Sequence, residues 1–315
     1  MAKYDVAFLL IPKFSMIALY GAVEPLRVAN RFAGPVFSWR FISMDGLPVA
    51  ASNDIPVSVS GGLRDIGMPA MTVVSASYEP ERGITRPVVN AIRKLVQQKI
   101  LVAAIDTGPF LLAEAGVLDG YRATCHWETL PGFRESYPEV HATQALYEVD
   151  RGRMTCAGGA AAIDMMLDWI ARLLGPSLSV AVADQLVHFR VTGGREQARV
   201  PARTRYGTDD PRLLAIVGAM EEQGEEPLEA AALAAVGGIS IRQMERLFHT
   251  KLQARPMEIY RKLRLERAEQ LLIYSHLSVR DVALACGFSS LSLFSRAFKA
   301  KYGTPPSVMR HSASR

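Results

Sequence analysis

The stretch "AAIDTGPFLL" (residues 103–112) sets a carboxylate where other folds keep a nucleophile. An apolar strand, Ile100 to Ile105, runs into Asp106, then a turn at Thr107 and Gly108, then a helix. A chain that turns so sharply from strand to helix lifts one side chain over the sheet, beside the helix N-terminus. A thiolate there is a strong nucleophile, stabilised by the helix end, whereas a carboxylate is a poor one toward amides. Two roles stay open for Asp106: a fixed negative charge at the mouth of a preformed pocket, favouring a cationic ligand, or a cap on the free N–H groups of the helix. The other reactive pair is Cys125-His126. Side chains of adjacent residues diverge, so these two make a poor nucleophile and base.

A second group of chemically capable residues lies in the last hundred positions, where the chain repeats itself at a shift of 50 residues. Ser240, Ile241, Arg246, Phe248, Lys251 and Pro256 match Ser290, Leu291, Arg296, Phe298, Lys301 and Pro306. Each copy reads as helix, glycine turn, helix. In the second, "SVRDVALACGFSSLSLFSRAFKAKYG", Ser278 is placed to cap the first helix with Asp281 in its first turn. Val282, Ala283 and Cys286 form a buried stripe, and Leu291, Phe294, Ala297 and Phe298 face inward at helical spacing. That leaves Ser289, Ser290, Ser292, Ser295, Arg296 and Lys299 outward, small hydroxyls for close approach to base edges and cations for phosphate. In the first copy Ser240, Arg242, Gln243 and Arg246 hold the same place, and Arg and Gln are the types that bond guanine and adenine bidentately. Between the copies, "RPMEIYRKLRLERAEQLLIYS" reads as one long helix, a strut that would hold two recognition helices about 34 Å apart, one turn of duplex.

The elements that must hold these residues divide the chain in two. "YDVAFLLIP", "FSWRFISM", "MTVVSAS" and "ILVAAI" read as strands, with helices at about Ser15–Arg31 and in "RPVVNAIRKLVQQ" between them. A hairpin at Asp150–Gly152 and the helix "AAIDMMLDWIARLLG" complete an α/β, doubly wound, flavodoxin-like domain over residues 1–191. Residues 192–211 lose all period and are expected to be a linker, and 212–315 an all-α domain with two helix-turn-helix motifs. Charge divides likewise: residues 230–315 hold 14 Lys+Arg against 5 Asp+Glu, while the rest of the chain is net −4. A basic tail on a slightly acidic body points to a polyanion partner. The longest apolar run is too short for a membrane span, and three cysteines without metal or CxxC spacing suit a reducing cytoplasm. Neither a metal nor a cofactor is expected.

Two families resemble these segments. Residues from about 228 to 310, above all "DVALACGFSSLSLFSRAFKAKYGTPPSVMR", resemble the AraC/XylS DNA-binding domain. That resemblance implies a sequence-specific transcriptional regulator of double-stranded DNA, usually an activator that contacts RNA polymerase. The first 190 residues, through "LLIPKFSMIALYGAVEPLRVAN" and "DTGPFLLAEAGVLDGYRATCHWE", resemble the PfpI and class I glutamine amidotransferase-like domain that opens one AraC subgroup. Enzymes of that fold carry a cysteine at the elbow and an acid on the helix after the first strand. Those slots fall here on Asp106 and at about Ala18, which implies a domain that binds without catalysing.

The resemblance sets Trp127 and His126 near the elbow, and Phe14 ends the first strand; with Asp106, Thr107 and Gly108 these form the expected ligand site. A carboxylate and an aromatic face suit quaternary ammonium or guanidinium groups. Subgroup members with the same D-T-G elbow resemble regulators of carnitine, betaine and arginine catabolism, so the expected ligand is a small cationic or zwitterionic metabolite. Each of these residues also has a plainer reading: Trp127 and Phe14 as core, His126 as structural, and Glu24 as the ion-pair partner of Arg27 or Arg31. The segment "AVEPLRVANRFAG" is equally suited to a homodimer interface. Competing accounts of the whole chain are a ligand-independent factor whose first domain only dimerises, and an active amidase fused to a DNA-binding domain.

Overall fold

The structure, a computed structural model, describes residues 2–188 and 202–313. It divides into two compact units, Met1–Ala198 and Arg199–Arg315.

In the first unit, β1 (Tyr4–Leu10) is apolar throughout its second half, as a strand covered on both faces must be. It leads through Ser15, whose hydroxyl accepts the Ala18 N–H, into α1 (Met16–Ala33). The strands β2 (Phe37–Ile42), β3 (Val49–Ala50), β4 (Pro56–Val57) and β5 (Met71–Ala76) follow. Next come α2 (Arg86–Gln97), β6 (Leu101–Asp106), α3 (Gly108–Glu114), β7 (Arg122–Ala123), α4 (Leu130–Ser136) and β8 (His141–Ala142). The unit closes with β9 (Tyr147–Asp150), β10 (Arg153–Cys156), α5 (Ala161–Leu174) and α6 (Pro176–Gln185). The main sheet has the order β2-β1-β5-β6-β10-β9. Its pairs are parallel except the β9–β10 hairpin, which turns at Arg151 and Gly152, both at positive φ. Helices cover both faces, so this is the expected flavodoxin-like α/β unit. Phe14, Ala18, Leu19, Leu26, Met165, Leu167 and Ile170 share one core with β1, β5 and β6.

The second unit is helical. It begins earlier than expected: α7 (Ala202–Arg205) lies inside the stretch 192–211 that reads as linker. Arg205 forms a double ion pair with Glu221 at 2.7 and 2.9 Å, and Tyr206 packs on the core of the helices that follow. The described end of that stretch thus belongs to the second unit, and its remainder, 192–201, lies outside the described residues. Then come α8 (Pro211–Glu222), α9 (Ala230–Val236), α10 (Ile241–Leu252), α11 (Pro256–Tyr274), α12 (Val279–Ala285), α13 (Leu291–Tyr302) and α14 (Pro306–Ala313).

Two cores form here, one per repeat. Met244 and Phe248 of α10 pack with Leu213, Ile216, Val217 and Leu233. Phe294 and Phe298 of α13 pack with Val282, Ala283, Cys286 and Phe288. The 19-residue α11 serves both, giving Tyr260 to the first and Leu265, Ala268, Leu271 and Leu272 to the second. At 1.5 Å per residue it is about 28 Å long. One inward assignment is corrected. Leu291 matches the helical period of Phe294 and Phe298, yet it is 46% exposed, because the first residue of α13 lies beyond the end of the core.

Candidate ligand site and nucleic-acid interface

The carboxyl ends of β5, β6 and β10 lie side by side, and in open α/β sheets that edge is where ligands bind. Asp106 ends β6 at φ +63°, the left-handed conformation that a short polar residue tolerates and that a nucleophile elbow requires. Its neighbours are fixed by close approach. A Cβ on Gly108 would come within 2.5 Å of the Val74 carbonyl oxygen, so only glycine lets α3 start so near β5. A Cβ on Gly158, itself at φ +84°, would come within 2.7 Å of the Asp106 Cβ. The Thr107 hydroxyl donates to the Ser77 carbonyl at 2.5 Å, tying the elbow to the end of β5. The His126 N–H donates to the Asp106 carbonyl at 3.0 Å and draws the 125–128 segment over the elbow.

These contacts revise the expected role of Asp106. Its residue is only 6% exposed. Burial pushes its carboxyl up to about 7, opposed by a hydrogen bond with Ser77 and reinforced by the nearby Glu128 carboxylate. A group with that pKa is not a fixed negative charge at an open mouth. Nor is it the helix cap: Thr107 holds the N-cap position of α3, with no side-chain cap bond.

Around it, His126 is partly buried, its Nδ1 is 3.7 Å from a Glu128 carboxylate oxygen, and burial lowers its pKa. Trp127 is 37% exposed, its ring 5.7 Å from the His126 ring. Phe14 is fully buried in the main core and presents no surface to a ligand. Ala18, the slot for a partner acid, is equally buried. Glu24 pairs with Arg27 at 2.6 Å on the outer side of α1. Burial pushes the thiols of Cys125 and Cys156 up to about 12, the first against a hydrogen bond donated to its sulfur by the Thr129 hydroxyl at 3.6 Å, which favours the thiolate. Neither thiol ionises near neutral pH. Two contributors escaped the sequence reading: Ser77 and Glu128. The signal for Ser77 was its place just past the end of a neighbouring parallel strand.

On the helical unit, Ser240 and Gln243 form a reciprocal capping box. The Ser240 hydroxyl accepts the Gln243 N–H at 3.2 Å, and the Gln243 side-chain oxygen accepts the Ser240 N–H at 2.8 Å. Gln243 therefore spends the oxygen that a bidentate adenine contact needs. Arg242 and Arg246 are exposed on α10. Ser278 caps α12 through the Asp281 N–H at 3.2 Å, as its place in the sequence implies. Ser290 caps α13 through the Leu293 N–H at 3.2 Å, with Ser292 Oγ 3.3 Å away. Ser289, Ser292, Arg296 and Lys299 are exposed, while Ser290 and Ser295 are half-buried. The turn between α12 and α13 is held from α11. Arg264 donates to the carbonyls of Cys286 and Gly287 at 2.7 and 2.5 Å and stacks 4.4 Å from the Phe288 ring. Gly287, at φ +68°, sits against Pro227, where a side chain would collide.

Among the described residues no helix is long and apolar enough to cross a membrane, and no cluster of His, Cys, Asp and Glu could hold a metal ion.

Comparison with known proteins agrees with this division. Residues 6–172 match the DJ-1/PfpI family and residues 233–312 a helix-turn-helix domain. The HTH-type transcriptional regulator CdhR of Pseudomonas aeruginosa is 45% identical over 97% of this chain and 91% of its own length. The HTH-type transcriptional regulator GbdR of the same species is 37% identical over 96% of this chain and 83% of its own. A solved AraC family transcriptional regulator from Pseudomonas putida superposes with a TM-score of 0.55 at 25% identity, over 58% of this chain and 99% of that one. The chain belongs to the AraC-type helix-turn-helix transcriptional regulators that carry a DJ-1/PfpI domain, and it is a DNA-binding protein of that family.

Proposed function

We propose that the first unit senses a small cationic or zwitterionic nitrogenous metabolite without transforming it, and that binding controls an activator, working as a homodimer with RNA polymerase as its partner. The observation that carries the non-catalytic half is the composition of the elbow: a buried carboxylate at Asp106, no acid at Ala18, and flanking thiols held protonated. None of these supplies a nucleophile at neutral pH.

The ligand reading rests on what surrounds Asp106. Trp127 gives an aromatic face, and Glu128 a second, half-exposed carboxylate. A cation above them favours the ionised form of Asp106. Binding then draws a proton off, so affinity rises as pH climbs toward about 7 and flattens above it. In the second unit, Arg242 and Arg246 of α10 and Ser292, Arg296 and Lys299 of α13 are the proposed DNA contacts, with Ser240, Ser289 and Ser290 at the helix entries. Ser240, Ser290 and Gln243 act there chiefly as caps, and Ser295 is too enclosed to be a main contact.

The test is a thermal-shift and calorimetric screen of the full chain against carnitine, betaine, dimethylglycine and arginine, repeated with Asp106→Ala. A shift that Asp106→Ala removes is expected. Silence across a broad metabolite set would favour a first unit that only dimerises. Hydrolysis of small amides, abolished by Asp106→Ala, would overturn the reading.

A further inference from the structure

The two recognition helices offer different chemistry to a base edge. On α10 the exposed first turn carries Arg242, a hydrogen-bond donor suited to guanine. On α13 the corresponding surface is nearly all serine, at 289, 290, 292 and 295, and one of those hydroxyls is committed to capping. Leu293 rises from among them. It is 48% exposed, and its counterpart in the first repeat is the polar Gln243. It stands three residues before the exposed Arg296, and residues at that spacing are neighbours on one helix face. An exposed leucine on a helix is ordinary. Leu291, two residues earlier, is exposed to the same degree, but its counterpart Ile241 is apolar too. Position 293, in the turn that enters the groove, is where the second repeat sets an apolar side chain and the first a polar one.

We infer that Leu293 makes α13 a thymine reader: it packs on the C5-methyl group of a thymine in the major groove, while Arg242 of α10 reads guanine through hydrogen bonds. Thymine is chosen because its methyl is the one apolar feature that unmodified base pairs present in that groove. Arg296 and Lys299 supply the phosphate contacts that bring the leucine to the base. The inference rests on the reading that α10 and α13 are the DNA contacts.

The test is selection of bound duplexes from a randomised library by the full chain, as wild type, Leu293→Ala and Arg242→Ala. The wild type selects a site with an invariant thymine about one helical turn from the base pair whose preference Arg242→Ala removes. Leu293→Ala loses preference at that thymine alone and keeps wild-type affinity for random duplex, which also shows that it folds. Replacing the thymine by uracil, which removes only the methyl, weakens wild type about three- to fivefold. The same replacement leaves Leu293→Ala unchanged. If uracil costs both proteins equally, or costs wild type nothing, the inference fails while the DNA contacts stand. If Leu293→Ala and Arg242→Ala leave a selected site wholly unaltered, the assignment of the contacting helices fails with it.

Discussion

Asp106 is ionised only against resistance from its surroundings. Its pKa is raised from 3.8 to about 7 in the folded chain, so between those values the native state holds a proton that the unfolded state has lost. Stability therefore falls as pH rises from about 4 to about 7 and then levels off. Asp106→Asn tolerates the same left-handed backbone and lacks that slope. It is expected to stabilise the first unit at pH 8 by on the order of 2–4 kcal/mol, with the gap closing toward pH 4. All three tryptophans, Trp39, Trp127 and Trp169, lie in that unit, so urea unfolding followed by their fluorescence reads it alone. An unchanged pH slope in the Asn variant would show that the buried carboxyl does not drive it. In the other unit, Ser240→Ala removes a cap worth about 1 kcal/mol of stability without altering which sequence is preferred. Arg242→Ala weakens the preferred site by about 1–3 kcal/mol and relaxes one base position. Equal loss on random duplex would make Arg242 a phosphate contact instead.

At the scale of elements, much was legible because local chemistry and tertiary packing agree. The helix start at Ser15, the Ser278 cap, the turn glycines and the apolar strands all predict what forms, whereas Ser240 and Ser290 read as DNA-facing hydroxyls and prove to be caps. What stayed hidden depended on where an element ends relative to its core. The period through Phe294 and Phe298 extends to Leu291, but the core does not. Gln243 has the right type to read adenine, and only the fold shows its oxygen folded back on the Ser240 N–H. Asp106 reads as a surface charge until Gly158 and the His126 segment close over it. Arg264 is another feature that only coordinates reveal. Arg264→Met keeps the stem and loses two carbonyl bonds, leaving the Cys286 and Gly287 oxygens unpaired, a cost of about 1–3 kcal/mol. It is expected to lower the melting transition of the helical unit and weaken specific binding by loosening α13. Arg264→Lys restores the charge but not the fork, so it recovers only part. Full recovery by lysine would show that charge alone matters.

For the whole molecule, the division of charge follows the division of labour. The basic excess is concentrated after residue 230, and Arg242, Arg246, Arg296 and Lys299 are exposed there. Arg296→Ala is expected to weaken binding to all duplexes alike and to reduce the salt slope by about one. The central claim is that α10 and α13, sharing the strut α11, enter successive major grooves on one face of the duplex. Missing-base interference on a selected site measures this directly, using the full chain with Arg242→Ala and Leu293→Ala beside it. The account predicts two contacted clusters about 10–11 base pairs apart, the first variant weakening one and the second the other. A single cluster, or both variants weakening the same one, would contradict it.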